Sequence, residues 1–371
     1  VNEPEIIAEQ IRVCEIPAPP FAEEKRGLEF KNIFTKLGLQ NVRIDAIGNV
    51  LGERPGKGPK PHLVFAAHLD TVFPIETDVK VRREGTWLHG PGIGDDCRGL
   101  AVTIGVVRAL NEAKVVTEGP ITFVANVGEE GLGDLRGTKA LFSDTLKGKI
   151  DRFVSVDGTG LGMTHVGVGS FRYRLAYKGP GGHSYGHFGR VNPIHALGRA
   201  IAMVSEFQVA SEPKATFNVG RIGGGTSVNS IAFEAWAEVD MRSHDKASLD
   251  ALHTKFLAAA DAALLAENKR WSDGTLTVEK KSVGIRPPGS TPSTDYTVVA
   301  ATSVTKALGF PVEWSQGSTD SNVPMGLGIP AITIDGGGDG KDAHALTEAF
   351  DTKDSWKGTQ RALLVAIALA R

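Results

Sequence analysis

The sequence predicts an α/β protein: a mostly parallel sheet with helices on both faces, into which a second, α+β domain is inserted. Short apolar runs of strand length alternate with helix-length runs up to Val156, and this alternation resumes at residue 293. Between these stretches, apolar and polar residues alternate along longer strands, as is typical of half-buried antiparallel sheets. We therefore expect a discontinuous first domain (residues 1–168 and 287–371) and an inserted domain (residues 169–286).

The first domain begins with two predicted helices, at residues 3–13 and 22–37. In the second helix Ile33 and Phe34 share a face, and Gly38 follows as a stop signal. Further along, the predicted strands are residues 62–67, 121–127 and 153–156, and the predicted helices are residues 99–113 and 135–142.

The inserted domain opens with a strand in which Phe171, Tyr173, Leu175 and Tyr177 alternate with polar residues. The proline- and glycine-containing segment 286–289 predicts a hinge that returns the chain to the first domain. The elements predicted between them are helices at 192–206 and 246–266 and strands at 215–221, 231–241 and 275–282.

Composition excludes several classes of partner. The 41 basic and 43 acidic residues give a net charge of −2, without the basic surface that nucleic acids or anionic membranes require. No segment reaches the roughly 18 consecutive apolar residues of a membrane span, and the first residues do not have the basic-then-apolar pattern of a signal peptide. Only Cys14 and Cys97 are present, too few for a disulfide framework, so we expect a cytoplasmic protein.

Histidine and carboxylate side chains follow most predicted strands of the first domain. His68 and Asp70 follow the first strand, the pair Glu129-Glu130 follows the second, and Asp157 follows the third. Ligands of open α/β sheets collect at the carboxyl ends of strands. Because burying unpaired charge costs several kcal/mol, we expect cations to hold these groups. The pattern predicts a hydrolase with two metal ions.

The first two motifs have more than one interpretation. His68 suits a metal as a neutral imidazole, and Asp70, two residues on, is expected to accept the other ring N–H and fix the tautomer; the alternative is a structural His–Asp hydrogen bond. The glycine-rich segment 90–94 could bind a phosphate before a helix, but Asp95 and Asp96 would repel one. These two carboxylates suit a cation, and a single Asp can bridge two metal ions with its two oxygens. The alternative is that they cap the helix.

The later motifs suit the same chemistry. In hydrolysis one carboxylate of Glu129-Glu130 can bind metal while the other takes a proton from water; otherwise the two form a solvated acidic pair. His344 follows the glycine run 336–338 and is either a ligand or a structural histidine.

Together these motifs resemble those of the dinuclear zinc exopeptidases and amidohydrolases that include peptidase T, carnosinase, aminoacylase and succinyl-diaminopimelate desuccinylase. The resemblance covers nearly the whole chain. It rests on the segments His68-Leu69-Asp70-Thr71-Val72, Gly92-Ile93-Gly94-Asp95-Asp96, Gly128-Glu129-Glu130-Gly131, Val156-Asp157, Gly317-Ser318-Thr319-Asp320-Ser321-Asn322 and Asp342-Ala343-His344-Ala345-Leu346.

The resemblance implies two divalent ions per chain, zinc with cobalt or manganese as alternatives. Asp95 would bridge the ions, Glu129 would be the general base for attack by a bridging hydroxide, and Asp70 would orient His68. The remaining implied ligands are His68 and Asp157 at one ion, and Glu130 and His344 at the other.

The inserted domain resembles the lid of this family, which also forms the contact of a homodimer. His183 matches a histidine that reaches the partner's active site and stabilises the oxyanion, although it could be a turn residue. Arg242 and Asn229 match positions that bind a substrate's carboxylate and backbone; a structural ion pair is the alternative for Arg242. Asp240 is expected to point to the opposite face or to aid the turn.

One departure from the family pattern lies in the metal loop. The family usually carries Lys and Gly where this chain has Cys97 and Arg98. We expect Arg98 to supply the missing positive charge, or the helix to begin slightly differently, and Cys97 to be sensitive to oxidation.

The leading hypothesis is a metal-dependent exopeptidase that hydrolyses short peptides, because members of the family with Asp at the position of Asp157 resemble aminopeptidases and dipeptidases. A second hypothesis is an amidohydrolase or deacylase acting on N-acyl amino acids or another small, even aromatic, molecule. A third is a catalytically silent dimeric binding protein. Glu129 argues against this third hypothesis, because a pure binder needs no general base.

Overall fold

The computed structural model describes residues 1–371, and the chain divides into two compact units. The first unit contains Val1–Gly167 and Gly289–Arg371, and the second contains Val168–Pro288. The predicted α/β class is confirmed, because the larger sheet has a parallel centre and helices on both faces. None of the helices has the combined length and apolar character that crossing a bilayer requires.

Nine α-helices lie along the chain. A 3₁₀ turn at Gly131–Gly133 precedes the fourth helix, and a π-helical turn at Leu141–Thr145 follows it. The helices are α1 (Glu3–Cys14), α2 (Glu24–Lys36), α3 (Cys97–Glu112), α4 (Arg136–Ala140), α5 (Pro193–Ser205), α6 (Lys246–Arg270), α7 (Tyr296–Ala307), α8 (Asn322–Gly326) and α9 (Trp356–Leu369).

Nineteen strands form four sheets. In the first unit the strands are β1 (Gln40–Ile44), β2 (Val50–Arg54), β3 (Leu63–His68), β4 (Arg82–Glu84), β5 (Trp87–His89), β6 (Ile121–Asn126), β7 (Arg152–Val156), β8 (Met163–Gly167), β15 (Gly289–Ser290), β16 (Trp314–Gly317), β17 (Ala331–Ile334), β18 (Asp339–Lys341) and β19 (Ala349–Asp351). In the second unit they are β9 (Gly169–Lys178), β10 (Gly182–His183), β11 (Ala215–Gly224), β12 (Ser230–Ile231), β13 (Glu234–Ser243) and β14 (Thr277–Arg286).

The first unit is built on a nine-stranded sheet with the order β1-β2-β6-β3-β7-β17-β8-β15, and β16 pairs with β8. Its four central strands, β6, β3, β7 and β17, run parallel. Alternate residues of β3 enter different apolar clusters: Phe65 shares one with residues of α1, α3 and α9, whereas Val64 and Ala66 share another with residues of the π-helical turn and α8. This burial on both faces explains why the strand is a continuous apolar run.

The second unit is a four-stranded antiparallel sheet with the order β11-β13-β9-β14, and α5 and α6 pack on it. Buried and partly buried residues alternate strictly along β13, as expected for a sheet with one covered face. Tyr177 is fully buried in this core and donates a hydrogen bond from its hydroxyl to the carbonyl of Ala260 on α6, at 2.7 Å.

We expected Arg98 to supply positive charge to the loop before α3, but it does not. Its guanidinium is fully buried and lies 2.8 Å from the carboxylate of Glu3 on α1. It also donates to the carbonyls of Gly336 and Ser355, each at 2.7 Å. A buried arginine needs such partners for its five donors, and here they link α3 to α1 and to the start of α9.

The two cysteines are free and fully buried. Cys97 is the first residue of α3, and Cys14 is the last residue of α1. Oxidation favours exposed thiolates, so burial protects the Cys97 thiol that the sequence analysis expected to be sensitive.

We predict that Glu3→Gln lowers the free energy of unfolding by about 2 kcal/mol, because it leaves the Arg98 guanidinium buried beside a neutral group. The matched control is Glu5→Gln in the same helix, whose carboxylate is 56% exposed and lies 3.7 Å from Arg108. A surface pair of this kind contributes less than about 1 kcal/mol. Urea unfolding measures both variants, and equal losses would contradict the assignment.

Candidate metal centre

The candidate ligands lie where parallel strands end. His68 is the last residue of β3, Glu129 and Glu130 follow β6, and Asp157 is the first residue after β7. Since β3 pairs in parallel with both β6 and β7, their carboxyl ends meet at one edge of the sheet. The loop before α3 brings Asp95 to the same edge.

Asp95 lies between two histidines. Its Oδ1 is 3.1 Å from Nε2 of His68, and its Oδ2 is 3.0 Å from Nε2 of His344. The same Nε2 of His344 is 3.0 Å from Oε1 of Glu130. Each oxygen of one carboxylate therefore faces a different histidine, which is the arrangement of a ligand shared by two ions.

Two groups of side chains have potential ligand atoms within 4.8 Å of one another: His68 with Asp95 and Glu130, and His68 with Asp96 and Asp157. The carboxylate of Asp96 has other partners. It accepts the backbone N–H of His68 and that of Gly99, both at 3.0 Å, and so caps α3 and holds the end of β3. Oδ1 of Asp157 lies 3.9 Å from Nε2 of His68.

The side chain of Asp70 does not accept the ring N–H of His68. Nδ1 of His68 donates instead to the backbone carbonyl of Asp70, at 2.9 Å, whereas the nearer carboxylate oxygen is 3.7 Å away. The carboxylate is held elsewhere because it accepts the backbone N–H groups of Glu129 at 3.0 Å and Glu130 at 2.8 Å. The backbone carbonyl of Asp70 thus sets the expected tautomer of His68, in which Nε2 faces the site. The side chain of Asp70 anchors the loop that carries Glu129 and Glu130.

The site concentrates negative charge. Burial, and next the charge of Asp95, raise the pKa of Asp157 to about 7. Although burial acts to raise it, the hydrogen bond from His344 and the nearby charge of His68 hold the pKa of Asp95 below its ordinary value. Hydrogen bonds to Asp95 and Glu130 raise the pKa of His344 to about 10. The carboxylates of Asp95, Glu130 and Asp157 thus favour the binding of a cation between them.

The donor set fits divalent metal ions. Oδ1 of Asp95 is buried and makes no hydrogen bond, although it lies 3.1 Å from Nε2 of His68. Imidazole nitrogen and carboxylate oxygen are the ligands that zinc and related ions prefer. Both atom types converge here, with Asp95 at the centre.

Glu348 is a site residue that the sequence analysis missed. Its carboxylate accepts the backbone N–H groups of Gly92 and Gly94, each at 2.8 Å, and of Asp95 at 3.0 Å. These are the amides that the phosphate-loop alternative requires, so that alternative is removed. The available signal was an acid four residues after His344, just beyond the motif that ends at Leu346.

Asp320 is a second residue to which the motifs gave no role. It is fully buried and accepts hydrogen bonds from Nδ2 of Asn126 at 2.6 Å and Oγ1 of Thr138 at 2.5 Å. Asn126 ends β6 and Thr138 lies on α4, so Asp320 holds the two sides of the Glu129-Glu130 loop.

Two predicted residues of the second unit lie together. His183 on β10 pairs with Ser230 on β12, and the backbone N–H of Ser184 donates to the carbonyl of Asn229 at 2.9 Å. Nδ1 of His183 accepts the N–H groups of Tyr185 at 3.3 Å and Gly186 at 3.2 Å. An accepting Nδ1 places the proton of the neutral ring on Nε2.

Arg242 and Asp240 share a face of β13, contrary to the expectation for Asp240. Nε of Arg242 donates to Oδ2 of Asp240 at 2.7 Å, and Nε of Arg172 donates to Oδ1 at 3.0 Å. Residues two apart in a strand point to the same side, so the pair is a consequence of strand geometry. The ion pair that was the alternative for Arg242 is therefore present.

A sheet whose strand ends bring histidines and carboxylates around a shared Asp defines a metallohydrolase. Residues 64–368 match the model of peptidase family M20/M25/M40, and the chain belongs to this family. The protein is therefore a hydrolase of peptide or other amide bonds, and the family resemblance of its motifs is confirmed.

Related proteins match most or all of the length of the chain. The uncharacterized protein YqjE of Bacillus subtilis strain 168 is 26% identical over 353 residues, which cover 90% of each chain. A tripeptidase from Staphylococcus aureus subsp. aureus Mu50 has a TM-score of 0.81 at 22% identity and covers 100% of this chain and 99% of its own. Aminopeptidase PepT from Bacillus cereus has a TM-score of 0.78 at 22% identity and covers 100% of both. The two structures share the fold of this chain.

Proposed function

We propose that this protein is a dinuclear metal exopeptidase that removes residues from the amino end of short peptides. The observation that carries the proposal is the position of Asp95 between His68 and His344, next to Glu130. This position supports a two-ion site, because one carboxylate with a different imidazole at each oxygen suits two cations. The tripeptidase and the aminopeptidase with similar folds support a short peptide as substrate.

In this proposal Asp95 would be shared by two ions. His68 and Asp157 would hold one ion, and Glu130 and His344 would hold the other. Zinc suits this donor set, and cobalt and manganese suit it as well. When bound, such ions polarise a carbonyl and lower the pKa of water.

Glu129 is the proposed general base. It is only 5% exposed, and its backbone N–H is held by the carboxylate of Asp70. The next residue, Glu130, is a proposed ligand, so the two side chains share one anchored loop. We assign the Glu129 carboxylate to take a proton from the attacking water and to pass it to the leaving nitrogen.

Residues of the second unit are proposed to bind the substrate. The ring of His183 carries its proton on Nε2, which suits it to donate to the oxyanion that forms during attack on an amide. Arg242, oriented by Asp240, and Asn229 are proposed to bind the substrate's carboxylate and backbone. We also propose that the second unit forms the lid and the dimer contact.

A homodimer through the second unit is part of the proposal. Strand β11 is ten residues long and lies at the edge of its sheet, with Ile222 65% exposed. An exposed edge strand is a template for pairing with another chain. A cytoplasmic location is also proposed, on the basis of the two free thiols.

We predict that Glu129→Gln retains the bound metal but lowers kcat by about 10²- to 10⁴-fold, because the amide cannot accept the proton. Elemental analysis and initial rates measure the two effects. The neighbouring variant Glu130→Gln is the matched control and is expected to lose metal. Near-normal turnover by Glu129→Gln would refute the assignment of the base.

The proposed function is tested with one set of di- and tripeptides offered free, N-acetylated or C-amidated. We expect cleavage of the free form, slower cleavage of the C-amidated form because it lacks the carboxylate assigned to Arg242, no cleavage after N-acetylation, and loss of all activity with a chelator. Hydrolysis of the N-acetyl group itself, or of N-acyl amino acids and aryl amides in place of the peptides, would instead establish the amidohydrolase alternative. An unchanged rate after complete metal removal would contradict both the exopeptidase proposal and the amidohydrolase alternative.

A further inference from the structure

Glu348 joins the two loops that bring Asp95 and His344 together. The loop of residues 342–347 is mostly exposed, and His344 itself has a 53% exposed side chain. Glu348 ends this loop and is only 2% exposed. It is therefore the buried anchor of a segment that otherwise lies at the surface.

The anchor consists of four hydrogen bonds to one short stretch of backbone. Three N–H groups, those of Gly92, Gly94 and Asp95, converge on the Glu348 carboxylate. A fourth, that of Gly90, donates to its backbone carbonyl at 3.0 Å. An ionised carboxylate offers only acceptors, so it can satisfy converging donors that a neutral side chain could not.

The other half of the site has separate anchors. His68 is held by the carbonyl of Asp70 and by the carboxylate of Asp96, and the latter also fixes the start of α3 directly after Asp95. Asp157 directly follows β7 in the centre of the sheet. The position of Asp95 relative to His68 thus does not depend on Glu348 alone, whereas the Glu348 carboxylate joins the end of the His344 loop directly to the backbone of Asp95.

We propose that Glu348 is a positioning residue that sets the affinity of one metal position, the position formed by Glu130, His344 and the shared Asp95. The proposal rests on the two-ion site proposed above and goes beyond it by making the two positions unequal in their dependence on one buried side chain. Glu348 touches neither ion; it acts through the backbone of the Asp95 loop.

The change Glu348→Gln tests this with little change in volume. The amide keeps one acceptor oxygen but turns a donor toward at least one of the three N–H groups. Loss of an outer partner of this kind costs about 10- to 100-fold in metal affinity. We expect the ion at His68 and Asp157 to bind within about twofold of the wild type and the other ion to bind about 10- to 100-fold more weakly.

The measurement is a titration of metal-free protein with Zn²⁺ against a competing chelator, with Co²⁺ absorption spectra to follow each position. The matched control is Glu267→Gln in the second unit, another fully buried glutamate, which accepts the N–H of Asn192 at 3.2 Å. We expect it to lower the melting temperature without changing either metal affinity. If Glu348→Gln does not fold, Glu348→Asp, which keeps the charge on a shorter side chain, takes its place.

The outcomes separate the two proposals. Selective weakening of one ion, reversed by excess Zn²⁺, supports the role of Glu348. Equal weakening of both ions, or unchanged affinities in a variant that is merely less stable, overturns that role and leaves the two-ion site standing. A wild-type protein that binds no Zn²⁺ or Co²⁺ overturns the proposed function and this inference together.

Discussion

Negative charge crowded at the end of a parallel sheet is the constraint on which the rest of the site depends. Strands that must lie in register for the core to form bring Glu130 and Asp157 to one edge of the sheet, and the loop before α3 brings Asp95 to the same edge. Burial and mutual repulsion make the charged forms costly, which is why the pKa of Asp157 rises to about 7. His344 compensates in part, and divalent cations would compensate further. The fold therefore holds together groups that only a cation can fully stabilise.

Backbone amides are what hold these groups in place. The carboxylate of Asp70 binds the amides of the Glu129-Glu130 loop, that of Asp96 binds the end of β3 and the start of α3, and that of Glu348 binds the Asp95 loop. In each case a buried carboxylate fixes a loop that carries a proposed ligand or the proposed base. Such bonds to charged acceptors are stronger than neutral ones, so the ligands are positioned by backbone as much as by side-chain packing.

Periodicity predicted the fold because both faces of the central strands are covered. The apolar run of β3 has the length of a buried strand, and the residues that follow such a strand lie at its carboxyl end. Hydrogen bonds between distant segments could not be predicted in this way. Glu348 is 253 residues from Asp95, and Arg98 has its partner in α1, so neither spacing nor composition indicated these contacts. Asp70 was correctly placed beside His68, but whether its carbonyl or its carboxylate accepts the proton depends on the position of the Glu129 loop.

Whether two ions share Asp95 can be seen by anomalous diffraction from crystals grown with Zn²⁺. We expect two peaks about 3.5–4 Å apart, one beside His68 and Asp157 and the other beside Glu130 and His344, with a different oxygen of Asp95 toward each. A single peak, or two peaks of which only one contacts Asp95, would contradict this expectation.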